Sequence, residues 1–126
     1  MFEPKQYLEV AKLLYNSDVS GQDKKHLSEA VHRASVSRAY YAAFLSADKK
    51  SSTNGRGYGE SHDTLIRSYI SSSDPKKKLI GNNLRNLKEL RKKSDYDMQA
   101  CLTRKDCGTS LGLSEKIISV LDTIPS

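Results

Sequence analysis

The stretch that decides the fold covers residues 23–49 and reads DKKHLSEAVHRASVSRAYYAAFLSADK. It contains neither glycine nor proline, and it holds six alanines, the residue with the highest helix propensity. We therefore predict one continuous helix. Its apolar side chains fall on two faces, one carrying Val31 and Tyr41 and the other carrying Tyr40 and Phe44. A helix that is apolar on two sides is either central in a bundle or shared between the core and a partner chain.

Four further segments show helical periodicity around this long helix. We predict helices over residues 4–15, over 61–72, from residue 75 onward and over 111–124, with an irregular stretch at 97–110. Serines and glycines at about residues 49–60 predict one long loop. No segment alternates with the period of a strand. The prediction is an all-α fold, a single domain over residues 1–126 that forms an antiparallel four- to five-helix up-and-down bundle.

The positive charge of the chain is concentrated in the fourth predicted helix. The net charge is +6, yet residues 76–93 hold eight basic side chains against Glu89 alone. The eight are Lys76, Lys77, Lys78, Arg85, Lys88, Arg91, Lys92 and Lys93. Such a stretch favours polyanionic partners, namely nucleic acid, an anionic membrane surface or an acidic protein. The alternative is an ordinary solvated helix face.

The cysteines and the distribution of apolar residues narrow the possible cellular locations and cofactors of the protein. Cys101 and Cys107 lack the spacing of a metal site, and the sequence alone leaves open whether they form a disulfide. The first residues lack a secretion signal, and no apolar run approaches the length of a membrane span. We expect a cytoplasmic protein that has no membrane partner and that uses neither a metal ion nor another cofactor.

Two side chains interrupt the predicted core pattern. Arg38 falls in line with Val31 and Tyr41, so its stem is directed inward, and a buried charge needs a partner. We expect Asp95 or Asp97 to supply the carboxylate that pairs with Arg38. His62 lies on the apolar side of the third helix, where it is either a core or capping histidine or a catalytic group.

At these residues the sequence resembles a known family. Residues 37–44, SRAYYAAF, resemble the S-R-x-Y-Y-A-x-F signature of HEPN domains. The helix that starts at Ser61-His62 and residues 87–97, LKELRKKSDYD, match further HEPN features in order and approximate spacing. The resemblance covers about residues 5–123. It implies a helical bundle that commonly dimerises, in a prokaryotic defence, toxin–antitoxin or nucleotidyltransferase-linked setting.

Many HEPN proteins are metal-independent ribonucleases, whose motif is an arginine followed four to six residues later by a histidine. Here Arg91 is present, but residues 95–97 are Asp-Tyr-Asp, and a carboxylate beside RNA phosphate is electrostatically unfavourable. This ending resembles a branch of HEPN proteins that often sits beside a nucleotidyltransferase and need not cut RNA. The resemblance therefore implies binding of RNA or a nucleotide at a basic face and a dimer cleft.

Two main hypotheses remain, with distinct candidate residues. The first is a binding module for RNA or a nucleotide, and its candidates are Arg38, Tyr41, Lys78, Arg85, Lys88, Lys92 and Lys93. The second is a metal-independent endoribonuclease toxin that uses Arg91 with Tyr96 or His62, with Asp95 beside them. An accessory subunit that makes only protein contacts is a third reading. We expect a homodimer in each case, with RNA or a nucleotide as ligand and a cognate nucleotidyltransferase or antitoxin protein as a further candidate partner.

Overall fold

The computed structural model describes residues 2–17, 27–52 and 62–125, and all regular structure in these ranges is helical. The elements are α1 (Lys5–Tyr15), α2 (Ser28–Ser52), α3 (His62–Ile70), α4 (Pro75–Tyr96) and α5 (Arg104–Asp122). The predicted all-α bundle is confirmed. In the described ranges, no helix combines the length and the apolar character that crossing a membrane requires.

Helix α2 occupies the centre of the bundle and packs against α1, α4 and α5. Tyr40 and Ala43 on one of its faces are fully buried in the main core, and Ala39 on another is fully buried against α1 and α5. Its small side chains let neighbouring helices approach, and the buried Ser35 hydroxyl donates to the Ala11 carbonyl of α1 at 2.9 Å. The predicted face that carries Tyr40 and Phe44 is thus covered within one chain, whereas Val31 and Tyr41 on the other predicted face stay half-buried.

Helices α3 and α4 form an antiparallel pair. The side chain of Asp74 accepts a hydrogen bond from the Lys76 amide at 2.9 Å, which caps α4 where Pro75 begins it. A Cβ atom on Gly81 would lie 2.6 Å from the backbone nitrogen of Ile70, so this crossing requires a glycine. The pairing brings the start of α3 beside the last turns of α4.

Helix α5 begins earlier than the sequence predicted. The stretch 97–110 was expected to be irregular, but the helix starts at Arg104. Thr103 and Asp106 form a capping box: the Asp106 amide donates to the Thr103 hydroxyl at 3.2 Å, and the Thr103 amide donates to the Asp106 carboxylate at 2.9 Å. The predicted irregular stretch is wrong from Arg104 onward because this local cap starts a helix there.

Two other predicted boundaries also change. Helix α2 continues to Ser52, so the predicted loop at about residues 49–60 is wrong over its first residues. The rest of that loop, like the predicted start of α2 at residues 23–26, lies outside the described residues.

The two cysteines do not form a disulfide. Cys101 is exposed, Cys107 is buried, and both are free thiols. Burial raises the pKa of Cys107 to about 11.

Arg33 fastens the end of α4 to α2. Its Nη1 donates to the carbonyl oxygens of Lys93 at 2.8 Å and of Ser94 at 3.0 Å, and its Nη2 donates to the carbonyl oxygen of Ala100. Its Nε pairs with Glu29 at 3.0 Å. The last carbonyl groups of a helix generally have no partners within the helix, and a guanidinium can donate hydrogen bonds to them. The C-terminal end of a helix also carries partial negative charge, which favours a cation at the same place. Arg33 therefore fixes the position of the residues that end α4.

Candidate functional site

Arg91 of α4 lies at the centre of a polar cluster. Its Nη2 donates to the hydroxyl of Tyr41 at 2.9 Å and to that of Tyr96 at 3.1 Å. Its Nε donates to Asp95 at 2.9 Å, one helical turn further along α4. Its Nη1 makes no hydrogen bond with any described residue. The guanidinium is therefore held in place through two of its nitrogens while the third keeps its donors for a ligand.

Three aromatic rings surround the same guanidinium. The Arg91 Cζ lies 5.5 Å from the ring centre of Tyr40, 5.2 Å from that of Tyr41 and 5.3 Å from that of Tyr96. Burial acts to lower the pKa of Arg91, but the oxygens of Tyr41, Asp95 and Tyr96 act in the opposite direction, and the net shift is upward. Arg91 thus carries a permanent positive charge on a side chain that is only 12% exposed.

His62, the first residue of α3, lies against the same aromatic side chains of α2. Its ring stacks on the ring of Phe44, with the two ring centres 4.0 Å apart. It meets the ring of Tyr41 edge to face, with the two ring centres 6.0 Å apart. Its Nδ1 lies 2.7 Å from the hydroxyl of Tyr40. Burial raises the pKa of Tyr40, so that hydroxyl stays protonated, and it donates to Nδ1, its hydrogen-bond partner among the described residues. The neutral imidazole then carries its proton on Nε2.

A family model described as HEPN domain matches residues 22–124. The chain belongs to the HEPN family. The match covers most of the sequence, including all of α2, α3, α4 and α5. Neither the comparison with curated proteins nor the comparison with solved structures found a match. Membership of the HEPN family indicates a function related to RNA or nucleotides, a type of function often found in toxin or defence systems.

The HEPN fold brings together the residues that the sequence proposed for catalysis. Arg91, Asp95, Tyr96 and His62 lie in one cluster, and Tyr41, proposed for RNA or nucleotide binding, lies between Arg91 and His62. The spacing of four residues along α4 explains why Asp95 lies beside Arg91, whereas Tyr96, five residues further on, reaches Arg91 through its long side chain. His62 joins them because α3 and α4 are antiparallel neighbours.

Arg38 does not belong to this cluster. Its guanidinium lies over the ring of Tyr7 on α1, 5.0 Å from the ring centre, and it makes no ion pair with any described carboxylate. Asp95 pairs with Arg91 instead, and Asp97 accepts from the backbone amides of Gln99 and Ala100. The predicted ion pair between Arg38 and Asp95 or Asp97 is wrong, because Arg38 faces α1 rather than the end of α4.

The basic residues proposed for RNA binding lie along α4 in different electrostatic states. Lys88 is half-buried and pairs with Asp63 of α3, whereas Lys92 makes a long 3.7 Å contact with Glu89. The side chains of the remaining three are exposed, and they are Lys78, Arg85 and Lys93. The positive surface of the HEPN domain is therefore partly neutralised by its own carboxylates.

The sequence analysis missed three residues of this region. Tyr40 forms part of the cage around Arg91 and binds His62, while Asp63 and Arg67 on α3 face α4. Tyr40 carried a usable signal, since a buried tyrosine hydroxyl needs a partner. Asp63 and Arg67 are four residues apart on α3, a spacing that places both on one face. Among the described residues, no cluster of histidine, cysteine and acidic side chains could hold a metal ion.

The environment of His62 predicts a pH dependence. Burial, and then the charges of Arg91 and Lys88, lower the pKa of His62 below its ordinary value of 6.5. The imidazole of His62 therefore takes up a proton at a higher pH in the unfolded chain than in the folded chain. The stability that the neutral imidazole contributes is complete above the unfolded pKa and is lost as the pH falls below it. We expect the NMR titration of His62 to have its midpoint below 6.5.

A substitution separates this effect from general acid sensitivity. His62→Gln should reduce the fall in melting temperature between about pH 7.5 and about pH 5.5, because glutamine takes up no proton in this range. Arg91→Gln should raise the midpoint of His62, since it removes a nearby positive charge. A titration midpoint at or above 6.5 in the native protein would contradict this description of the site.

Proposed function

We propose that this HEPN protein binds RNA, with a backbone phosphate at Arg91. The observation that carries the proposal is the position of the Arg91 guanidinium, which the rings of Tyr40, Tyr41 and Tyr96 surround. Two of its nitrogens are held by Tyr41, Tyr96 and Asp95, while its third nitrogen makes no hydrogen bond among the described residues. A positioned guanidinium with free donors binds a phosphate through charge-assisted hydrogen bonds and loses little side-chain entropy in doing so.

The surroundings of Arg91 support RNA as the ligand. The Tyr96 side chain lies at the surface, with 69% of the residue exposed, and its ring stands beside the guanidinium. Bases stack on such exposed rings, and the stacking tolerates any base sequence. His62 adds an Nε2 hydrogen that can donate to phosphate. The exposed Arg85, Lys92 and Lys93 on α4 add a long-range attraction for a polyanion.

The experiment is a binding titration with a fluorescently labelled single-stranded RNA of mixed sequence. We expect the affinity to fall steeply between low and physiological salt, because each neutralised phosphate releases counterions. Unlabelled nucleoside monophosphate should compete only weakly, since it occupies one phosphate position. Binding that is absent at low salt, or that does not change with salt, would contradict the proposal.

One observation favours a second candidate function, metal-independent cleavage of RNA. The structure places a neutral histidine and a fixed arginine within one cluster. A neutral imidazole can accept the proton of a 2′-hydroxyl, and a guanidinium can stabilise the negative charge of the pentacovalent phosphorus. Accepting that proton requires the tautomer whose Nε2 is unprotonated, and the carboxylate of Asp95 opposes the same charge. Cleavage that persists with chelator and is lost in His62→Gln would favour this function over binding alone.

The family supports a biological setting and a quaternary structure. We propose a homodimer that works in a prokaryotic defence or toxin–antitoxin system, with a nucleotidyltransferase or antitoxin protein as the further partner. The face of α2 that carries Val31 and Tyr41 is only half-buried within one chain, which supports an interface with a second copy. The exposed apolar side chains of Leu13 and Met98 offer surface for another chain. Light scattering that finds a monomer at micromolar concentration would contradict the homodimer.

A further inference from the structure

A groove of about 350 Å³ lies between α3 and α4, and its lining includes Asp63, the residue that follows His62. Ile66 and Ile70 line it on the α3 side. Two arginines, Arg67 from α3 and Arg85 from α4, line the same groove from the two helices. Both arginines are exposed at the surface, so a ligand can reach them from solvent.

The charges in this groove divide into paired and unpaired groups. Lys88 pairs with Asp63, and Lys92 lies 3.7 Å from Glu89, so the two carboxylates of the lining already have cationic partners. The two arginines differ from these lysines. Arg85 donates only to the neutral side-chain amide of Asn82, at 3.1 Å, and the Arg67 guanidinium makes no hydrogen bond or ion pair with any described residue. The net positive charge of the groove therefore resides on two guanidinium groups.

We infer that Arg67 and Arg85 form a second phosphate subsite, which holds the backbone of a single-stranded RNA whose neighbouring segment lies at Arg91. This inference rests on the proposed function, and it adds a specific path for the strand. Two guanidiniums on opposite helices suit a phosphate, because each presents parallel N–H donors to its oxygens.

The two subsites are separated by a distance that only a strand can bridge. Arg85 and Arg91 are six residues apart on α4, which gives an axial rise of about 9 Å and places the two side chains about 120° apart around the helix. A ligand with a single phosphate group therefore reaches one subsite, and a strand with several phosphates reaches both. Linking the two contacts in one ligand makes the second contact intramolecular, which raises the affinity without any new type of interaction.

The aromatic end of the path selects a single strand. Tyr96 is 69% exposed beside Arg91, and its ring can stack only with a base that is not enclosed in a duplex. Duplex RNA keeps its bases paired and stacked, so it gains the phosphate contacts but forfeits the aromatic one. We therefore expect a hexanucleotide single strand to bind more tightly than a duplex of the same length.

The test compares hexauridylate with uridine monophosphate on the full chain. In the double variant Arg67→Gln/Arg85→Gln, hexauridylate should bind about tenfold more weakly, because two charge-assisted contacts are lost. Binding of uridine monophosphate should stay within about twofold, since Arg91 still holds its phosphate. The matched control is Lys76→Gln, which removes one exposed charge from α4 outside the groove and should change hexauridylate binding by less than about twofold.

The outcomes distinguish failure of the inference from failure of the proposed function. If native protein binds both ligands equally tightly, or if the double variant behaves like Lys76→Gln, the second subsite does not exist while binding at Arg91 stands. If a duplex hexamer binds as tightly as the single strand, the assigned strand path is wrong. If Arg91→Gln leaves both ligands bound normally, the proposed site at Arg91 is itself wrong. Circular dichroism confirms that each variant is folded before it is scored.

Discussion

Arg91→Gln is expected to weaken RNA binding by at least about tenfold, because it removes charge-assisted hydrogen bonds to a phosphate. This loss of affinity should exceed the loss caused by removing any single exposed basic side chain of α4. Arg91 is held by Tyr41, Tyr96 and Asp95, so it reaches the ligand already oriented, and glutamine restores neither the charge nor the forked donors. Fluorescence anisotropy with a labelled single-stranded RNA measures the effect, and thermal denaturation shows whether the variant is still folded.

Asp95→Asn is the matched control, and its expected effect has the opposite sign. Arg91 and Asp95 form one ion pair, so a purely structural role would make either substitution weaken RNA binding through loss of the same contact. If Arg91 binds phosphate, asparagine keeps an oxygen that can accept from the Arg91 Nε but removes the repulsion between carboxylate and phosphate, so the affinity should rise or stay unchanged. Weakening of RNA binding by both substitutions to the same extent would show that the pair only stabilises the fold.

Arg33→Leu is expected to lower the free energy of unfolding by about 2–3 kcal/mol. The guanidinium satisfies the carbonyls of Lys93, Ser94 and Ala100 and pairs with Glu29, and it is only 17% exposed. Leucine removes the donor to the Ser94 and Ala100 oxygens, leaves Lys93 with only the 3.3 Å hydrogen bond from the Asp97 amide, and removes a cation from the C-terminal end of a helix. Chemical denaturation measures the loss, and hydrogen exchange should show that residues 97–103 lose protection first.

Arg38→Leu is the control on the same helix. Arg38 lies over the ring of Tyr7 and makes no ion pair with a described residue, so its replacement should cost no more than about 1 kcal/mol. An equal loss in both variants would mean that the contacts of Arg33 with the end of α4 are not what stabilises the bundle. Because Arg33 also positions the last turn of α4, Arg33→Leu should weaken RNA binding, whereas Arg38→Leu should not.

The helices could be predicted wherever their signals are local. The alanine-rich run without glycine or proline predicted α2, and Asp74 before Pro75 marked the start of α4. The start of α5 was missed, although Thr103 and Asp106 already have the spacing of a capping box. Two glycines within the first turns, Gly108 and Gly112, lower the helix propensity there and obscured that signal.

The contacts of the candidate site also fall into two groups, those that the local sequence predicts and those that depend on helix packing. The proximity of Asp95 to Arg91 follows from their spacing of four residues on one helix, so the sequence was sufficient to predict it, whereas the contact of Tyr96 with Arg91 does not follow from helical spacing. The arrival of Tyr41 and His62 at Arg91 depends on how α2 and α3 pack against α4. No local pattern encodes that packing, since it results from burying several apolar faces at once.

The sequence by itself determined that this protein is basic and all-helical, because helical periodicity, capping and charge are properties of neighbouring residues. Its motifs also resembled those of HEPN domains, and the family match confirms that resemblance. Only the tertiary structure decided which arginine of α2 reaches the end of α4. The sequence pattern favoured Arg38, but Arg33 makes those contacts. The physical reason is that α2 is covered by three other helices, so several of its faces point inward and periodicity alone cannot identify the partner of each face.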